Sequence, residues 1–266
     1  MQLQGKRVLV TGATRGIGRS LATAFATAGA NVALVARDGS ALGELAETLG
    51  GTSHPADLLD PDQLGHLIHR VEDEAGPVDV VVNNAGMAEE GPLWEHDDRE
   101  VEAQVRLNLI APLELCRQAI PRMLRRGGGH LVNVASLAAL ASVPGMTTYA
   151  ATKAGLAHGA AALRDELKGL PIAVTTVMVG GVPTDLLASG ESYPPFNHSF
   201  ARLRRIQLVP DTDADVLAAA VVHGVERGKR TVYLPRRAFP FVAAVEAPRR
   251  IVQLALTGVK RRVDGP

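Results

Sequence analysis

Residues 6–18 have the sequence KRVLVTGATRGIG, a short apolar run that ends in a turn with three glycines. Apolar residues recur after this turn at Leu21, Ala22, Phe25 and Ala26, which is a helical period. The stretch therefore predicts a strand, a tight turn and a helix. Glycines in such a turn let backbone N–H groups approach a phosphate at the helix N-terminus, where the helix dipole also favours negative charge.

A second apolar run, NVALVA at residues 31–36, predicts another strand and completes a βαβ unit. The glycine spacing G-x-x-x-G-x-G only partly matches the common dinucleotide fingerprint. Arg37 follows about 20 residues past the glycines, where a residue that contacts the coenzyme ribose is expected. A carboxylate there accepts from a ribose 2′-hydroxyl, whereas arginine pairs with a 2′-phosphate. Arg37, together with Arg15 in the turn, favours NADP(H) over NAD(H). The alternatives are a solvated Arg37 and a ribose contact by the neighbouring Asp38.

Later in the chain, Ser136 precedes the pair Tyr149 and Lys153. A tyrosine four residues before a lysine shares one helix face with it, about one turn apart. A free phenol has a pKa near 10, and a fixed ammonium beside it favours the phenolate. The pair therefore predicts a phenol that exchanges protons with a substrate. Taken alone, the same spacing also fits a solvated helix face.

Together these residues resemble the short-chain dehydrogenase/reductase family in its single-domain form. Residues 11–18 resemble its coenzyme turn, and residues 83–86, NNAG, resemble a second motif of the family. Asn108, Ser136, Tyr149 and Lys153 fall where the family carries its catalytic tetrad. The resemblance extends from about residue 5 to about residue 235.

The resemblance implies a role for each member of the tetrad. Tyr149 would be the general acid or base, and Lys153 would lower the pKa of Tyr149 and bind the nicotinamide ribose. Ser136 would hydrogen-bond the substrate oxygen, and Asn108 would hold a water that links Lys153 to solvent. The hydride belongs to the coenzyme.

The resemblance also implies a set of coenzyme contacts. Asp57 would contact the adenine and Thr184 the carboxamide. Where the family usually has Pro-Gly, this chain has Val179-Gly180, so the turn there is expected to be less stiff. The full expected set is Gly12, Thr14, Arg15, Gly16, Ile17, Gly18, Arg37, Asp57, Leu58, Asn84, Ala85, Gly86, Tyr149, Lys153, Gly180, Val182 and Thr184.

The alternation of apolar strands and amphipathic stretches predicts an α/β fold. We expect a Rossmann-type, doubly wound, seven-stranded parallel sheet with helices on both faces and a C-terminal helical tail. At 266 residues and 46% hydrophobic content, one catalytic domain over residues 1–235 is expected, with a substrate lid at 185–210. Strands are predicted near 6–11, 31–36, 52–56, 78–83, 130–135, 172–178 and 231–234.

Composition argues against several classes of protein. Lys+Arg and Asp+Glu both total 28, so no global charge favours nucleic acid. Cys116 is the only cysteine, and His66 and His69 lack the companions that a metal site needs, so no metal is expected. A charged, glycine-rich strand follows the first residue closely, which predicts a cytoplasmic protein. The resemblance implies a homodimer or homotetramer formed through helices near 98–126 and 148–167.

Two segments outside the motifs carry further expectations. Apolar residues in the lid, together with Leu137, Leu140, Val143 and Met146, predict an apolar substrate cleft. The alternative is that these side chains pack the lid onto the body of the protein. Residues 236–266 contain seven basic and two acidic residues and an apolar stripe at helical spacing. This basic amphipathic helical extension fits either peripheral membrane contact or packing on a neighbouring subunit or the lid.

Three functions follow as hypotheses. The first is an NADP(H)-dependent oxidoreductase that interconverts a carbonyl and a secondary alcohol on an apolar or lipid-like small molecule. The second is a reductase of carrier-linked 3-oxoacyl groups. The third is a non-catalytic dinucleotide sensor, which would not need the Tyr149 phenol.

Overall fold

The structure, a computed structural model, describes residues 1–182, 193–206 and 211–238, with isolated positions between 240 and 247. Its centre is a seven-stranded parallel sheet in the order β3-β2-β1-β4-β5-β6-β7. The predicted fold class is confirmed. The strands are β1 (Arg7–Thr11), β2 (Asn31–Ala36), β3 (Thr52–Pro55), β4 (Val80–Asn83), β5 (Gly129–Ser136), β6 (Ile172–Val179) and β7 (Thr231–Leu234).

Helices connect the strands and cover both faces of the sheet. Those described are α1 (Gly16–Thr27), α2 (Gly39–Leu49), α3 (Pro61–Gly65), α4 (Leu67–Ala75), α5 (Asp98–Val105), α6 (Ala111–Arg125), α7 (Thr147–Glu166), α8 (Pro194–Arg205) and α9 (Ala214–Glu226). A π-helical turn, Arg106–Ile110, joins α5 to α6. The helix predicted near 98–126 is therefore interrupted.

The two layers of the core follow from the alternation of side chains along each strand. In β1, Val8 and Val10 belong to a cluster that includes Phe25 of α1 and Leu217 of α9. Leu9, on the opposite face, packs in the cluster with Leu115 of α6. Because both faces are covered, nearly every position of the central strands is apolar.

The strand order reverses between β1 and β4. From β1 the chain adds β2 and β3 toward one edge of the sheet, and from β4 it adds β5, β6 and β7 toward the other. In open parallel sheets, ligands bind in the crevice at the carboxyl ends of the strands, at such a reversal. Thr11 ends β1 and Asn83 ends β4 there, while Ser136 ends β5 at the same edge. The fold thus collects the motif residues along one edge.

Two predicted features are not tested by the described residues. Of the C-terminal extension, only the short turn Arg236–Ala238 and isolated positions up to 247 are described, so its helical and amphipathic character stays a prediction. The subunit contact also stays a prediction, although Ile110 and Leu113 on the helices concerned are 44% and 41% exposed. Among the described residues, no helix has the length and apolarity needed to cross a bilayer.

Candidate active site

Thr11 joins the glycine turn to the NNAG segment. Its hydroxyl donates to the Val82 carbonyl at 3.2 Å and accepts from the backbone N–H groups of Asn84 and Ala85 at 3.0 and 3.1 Å. The Asn84 side-chain amide in turn donates to the Thr11 carbonyl at 2.9 Å. The two predicted coenzyme motifs therefore form one hydrogen-bonded unit.

Three glycines of the turn are required by geometry. Gly12 and Gly16 have φ values of 65° and 50°, a region that side chains disfavour. Gly18 lies so close to the Gly12 carbonyl oxygen that a Cβ atom would overlap it. The first turn of α1 carries no acidic residue, and its N-cap, Arg15, makes no side-chain capping bond. The backbone N–H groups in the first turn of α1 therefore form a helix N-terminus that can bind an anion.

The residues at the end of β2 differ in what they do. Arg37 is exposed, and Asp38 uses its carboxylate to cap α2, accepting from the N–H groups of Ser40 and Ala41 at 3.1 Å each. After β3, the Asp57 carboxylate accepts from the N–H of Leu59 at 2.9 Å, whereas Leu58 packs in the core. Asp38 therefore caps α2 through one carboxylate oxygen, Oδ1, and Arg37 lies beside it as an exposed cation at this strand end.

The predicted catalytic side chains converge at the end of β5. Ser136 is the last residue of that strand, and its Oγ accepts from the N–H of Ala138 at 3.1 Å. Tyr149 and Lys153 lie one turn apart on α7, with the Lys153 Nζ 5.7 Å from the centre of the Tyr149 ring. Lys153 also donates to the Val134 carbonyl at 3.1 Å. Ser136, Tyr149 and Lys153 are 9%, 7% and 5% exposed.

Burial has the largest effect on the pKa values of Tyr149 and Lys153. Desolvation raises the pKa of Tyr149 to about 12, although hydrogen bonding with Ser136 opposes the rise and the charge of Glu90 adds to it. Burial also lowers the pKa of Lys153 to about 8. The expected lowering of the Tyr149 pKa by Lys153 is therefore not present in the protein alone, because both groups lose solvation together. The phenol is protonated at neutral pH and can act as a proton donor.

Asn108 sits in the π-helical turn and is fully buried. Its amide accepts from the Met87 N–H at 2.9 Å and donates to the Met87 carbonyl at 2.8 Å and to Thr152 Oγ1 at 3.2 Å. The side chain is thus occupied by protein groups. The backbone carbonyl of Asn108 has no α-helical donor four residues on, because residue 112 is proline.

Gly86 lies against Asn108 and Lys153. A Cβ atom there would come within 3.0 Å of Asn108 Oδ1 and 3.3 Å of Lys153 Nζ. On the other side of the cleft, Gly180 donates to the Leu234 carbonyl at 2.8 Å, and a Cβ atom there would come within 3.0 Å of Pro235. Val179 and Val182 are buried nearby. Thr184 lies outside the described residues.

Ser136 and Tyr149 open onto a cleft of about 450 Å³. Leu137, Leu140, Val143 and Met146, the four residues expected to form an apolar wall, all line this cleft. From α8, Phe200 and Leu203 line it as well, while Phe196 is buried in the cluster that contains Tyr149. In the described residues of the lid, both expectations are therefore met. One side of α8 packs on the body of the protein, and another side faces the cleft.

Several contacts in the site were not predicted from the sequence. Thr11 had a signal, since it directly precedes the first glycine. Thr152 donates to the Tyr149 carbonyl at 2.7 Å, and its position in the helix alone does not reveal this bond. Glu90 and Arg202 both line the cleft. Arg202 belongs to the predicted lid, whereas nothing in the sequence context of Glu90 predicts its position.

Comparison with known proteins agrees with this geometry. Residues 6–193 match the short chain dehydrogenase family. The ketoacyl reductase HetN of Nostoc sp. is 38% identical over 185 residues, which cover 68% of this chain and 64% of HetN.

Solved structures share the fold over nearly the whole chain. A short-chain dehydrogenase from Sphingobium yanoikuyae in complex with NADPH has a TM-score of 0.80 at 27% identity, covering 97% of this chain and 99% of that one. A short chain dehydrogenase/reductase from Burkholderia phymatum in complex with NAD has a TM-score of 0.79 at 23% identity, covering 100% and 99%, and supports the fold alone. With its motifs in order along one sheet edge, the chain belongs to the short-chain dehydrogenase family, whose members are oxidoreductases that use a nicotinamide dinucleotide.

Proposed function

We propose that this protein is an NADP(H)-dependent oxidoreductase that interconverts a carbonyl and a secondary alcohol on an apolar substrate. The observation that carries the proposal is the position of Tyr149 and Ser136 in the wall of a largely apolar cleft of about 450 Å³. A proton donor and a hydrogen-bond donor at one end of such a cleft suit a carbonyl whose remaining body is apolar.

Each catalytic residue has one task in this proposal. When bound, the coenzyme supplies the hydride. Tyr149 donates its proton to the carbonyl oxygen during reduction, and Ser136 hydrogen-bonds the same oxygen as negative charge develops on it. Lys153 and a water on the Asn108 carbonyl return a proton to the phenol. The phenol of Tyr149 is protonated at neutral pH, as the reductive direction requires.

The preference for NADP(H) is proposed from the end of β2. Asp38 is the carboxylate nearest in sequence to the expected ribose position, but it caps α2 through two backbone N–H groups. Arg37 beside it is exposed and can pair with a 2′-phosphate. Arg15 in the glycine turn, at the N-cap of α1, is a second cation. The related structures include both coenzymes, so the preference is proposed from these residues alone.

Replacing Arg37 by alanine should lower kcat/KM for NADPH by about 10- to 100-fold, because a charge-assisted hydrogen bond to the phosphate is lost. The value for NADH should change less than about threefold. Initial rates with both coenzymes measure this. Arg227→Ala removes an exposed arginine at the end of α9 and should leave both values unchanged. Equal losses with NADPH and NADH in the Arg37 variant would contradict the NADP(H) assignment.

A carbonyl panel followed by NADPH absorbance tests the substrate class. We expect medium-chain ketones and aldehydes to have kcat/KM values at least about tenfold above those of small charged carbonyls, because burial of apolar surface in the cleft stabilises them. Faster turnover of small charged substrates would refute the apolar assignment.

Reduction of carrier-linked 3-oxoacyl groups is the second candidate. It is favoured by Arg202, an exposed residue of α8 that lines the cleft and could meet a phosphate of the carrier. The Nostoc relative, a ketoacyl reductase, points the same way. The panel therefore includes a 3-oxoacyl thioester of coenzyme A beside the corresponding methyl ester. A clear preference for the thioester, lost in Arg202→Ala, would favour this candidate.

A further inference from the structure

Thr152 connects two helical segments of the site. It lies on α7 between Tyr149 and Lys153 and is 2% exposed. Its hydroxyl donates to the Tyr149 carbonyl at 2.7 Å and accepts from the Asn108 side-chain amide at 3.2 Å. The first bond stays within α7, whereas the second reaches the π-helical turn between α5 and α6. Thr152 does not line the cleft, so an effect on the reaction must pass through its neighbours.

The direction of these bonds is fixed by Met87. Asn108 Oδ1 accepts from the Met87 N–H at 2.9 Å, and Asn108 Nδ2 donates to the Met87 carbonyl at 2.8 Å. A side-chain amide has one acceptor oxygen and two N–H groups, so this pair of bonds determines which end is the oxygen. The remaining N–H of Asn108 then donates to Thr152, whose hydroxyl hydrogen is left for the Tyr149 carbonyl.

This series of bonds joins the NNAG segment to the helix that carries the phenol. Met87 directly follows that segment, and Gly86 at its end packs against Asn108 Oδ1. From Met87 the bonds continue through Asn108 and Thr152 to the Tyr149 carbonyl, in the first turn of α7. Asn108 and Thr152 are both buried, so solvent does not replace a bond that is lost between them.

A threonine hydroxyl that bonds a carbonyl of the preceding turn is common in helices and by itself implies no function. Thr48 in α2 donates in this way to the Glu44 carbonyl at 2.8 Å, and Thr27 in α1 donates to the Thr23 carbonyl at 2.9 Å. Both threonines are exposed, and each of these bonds stays within one helix. Thr152 differs because it is buried and because a side chain from another segment donates to it. Thr48 therefore supplies a control for the local bond.

We propose that Thr152 is a positioning residue, which holds the first turn of α7 so that the Tyr149 hydroxyl stands where the reaction needs it. The inference rests on the proposed function, since it assumes that Tyr149 donates a proton to a carbonyl that the coenzyme reduces. The rate of such a reaction is sensitive to geometry, and a displacement of about 1 Å can cost on the order of 100-fold. Loss of the Thr152 hydroxyl leaves one N–H of Asn108 buried without its partner, and the site must rearrange.

Three variants separate this role from a local effect on the helix. Thr152→Val has nearly the shape of threonine and removes the hydroxyl, Thr152→Ser keeps the hydroxyl, and Thr48→Val removes a hydroxyl that bonds within its own helix. For each, the complex with NADPH is mixed rapidly with the best ketone of the carbonyl panel, and one turnover is followed by NADPH absorbance. The rate constant reports the reacting geometry, and the amplitude reports the fraction of active protein.

We expect the rate constant to fall by about tenfold or more in Thr152→Val, with the amplitude retained. Thr152→Ser should stay within about threefold of the wild type, because a serine hydroxyl can accept and donate the same two bonds. Thr48→Val should match the wild type, because it changes an exposed position away from the site. Affinity for NADPH should change less than about threefold in all three, because the glycine turn is untouched.

An unchanged rate constant in Thr152→Val would overturn the inference, and a reduced amplitude beside it would show that the hydroxyl only stabilises the fold. Equal losses of rate in Thr152→Val and Thr152→Ser would overturn it as well. If valine prevents folding, Thr152→Ala removes the same hydroxyl with a smaller side chain, and the same outcomes decide. Absence of turnover by the wild type with the whole carbonyl panel would instead refute the proposed function, and the inference with it.

A double-mutant cycle tests the route through Asn108. The single-turnover rate constant is compared in Asn108→Ala, in Thr152→Val and in the protein with both changes. If Thr152 acts through its bond with Asn108, the valine substitution should cost less than about threefold once that bond is already absent. Losses that multiply would show that the two side chains act independently and would count against the inference.

Discussion

Replacing Tyr149 by phenylalanine should lower kcat for NADPH-dependent carbonyl reduction by about 10²- to 10⁴-fold and leave coenzyme affinity within about twofold. The phenol hydroxyl is the proton donor in our proposal, and phenylalanine removes it alone. The ring is 7% exposed and belongs to an apolar cluster with Met146 and Phe196, so phenylalanine keeps its packing. Steady-state rates and calorimetric titration of NADPH measure the two quantities.

Tyr233→Phe is the matched control for this prediction. Tyr233 lies in β7 and does not line the cleft, so loss of its hydroxyl should leave kcat unchanged. A Tyr149→Phe variant that retains more than about a tenth of the wild-type kcat would show that another group donates the proton. Coenzyme binding without turnover in the wild type would favour the sensor hypothesis, because binding alone does not use the phenol.

Replacing Gly18 by alanine should lower the free energy of unfolding by about 1–3 kcal/mol and weaken coenzyme binding at least about tenfold. The added Cβ would overlap the Gly12 carbonyl oxygen and crowd the Asn84 amide, and both groups belong to the turn. Because α1 is packed against the sheet through Leu21 and Phe25, the helix cannot move away freely. Denaturant unfolding and NADPH titration measure the two effects.

Gly43→Ala gives the comparison at a helical glycine with free space. Gly43 lies inside α2, and a Cβ atom there would have no neighbour within 4 Å. Alanine should stabilise the protein by up to about 1 kcal/mol, since it has the higher helix propensity. If Gly18→Ala were as well tolerated as Gly43→Ala, the close packing of the turn would not control either stability or coenzyme binding.

The strands were predictable because their signal is local. Most are apolar runs bounded by glycine, proline or charge, although β3 has the polar sequence Thr-Ser-His-Pro. The observed bounds differ from the predicted ones by no more than two residues at each end. The helix predicted near 98–126 is interrupted near Asn108, and the sequence contains a sign of this interruption. Pro112 lacks the N–H that an α-helix requires, and the chain forms a π-helical turn before it.

The candidate site was predictable to a different degree at each residue. Ser136, Tyr149 and Lys153 come together as expected, because parallel strands bring their carboxyl ends to one edge. The commitment of Asp38 to capping α2 was not predicted, although Asp before a helix is a common N-cap. The direction of the Tyr149 pKa shift was not predictable, because burial outweighs the neighbouring lysine in the protein alone.

The sequence by itself determined the order of strands and helices, the glycine turn and the edge of the sheet where the polar motifs meet. These depend on residues close together in the chain and on the geometry of parallel strands. Only the tertiary structure decided that Glu90 lines the cleft and that Tyr149 is desolvated. Those properties arise from contacts among segments far apart in sequence, such as the residues around Ala88, Met146 and Phe196, and no local pattern records which side chains will surround a charge.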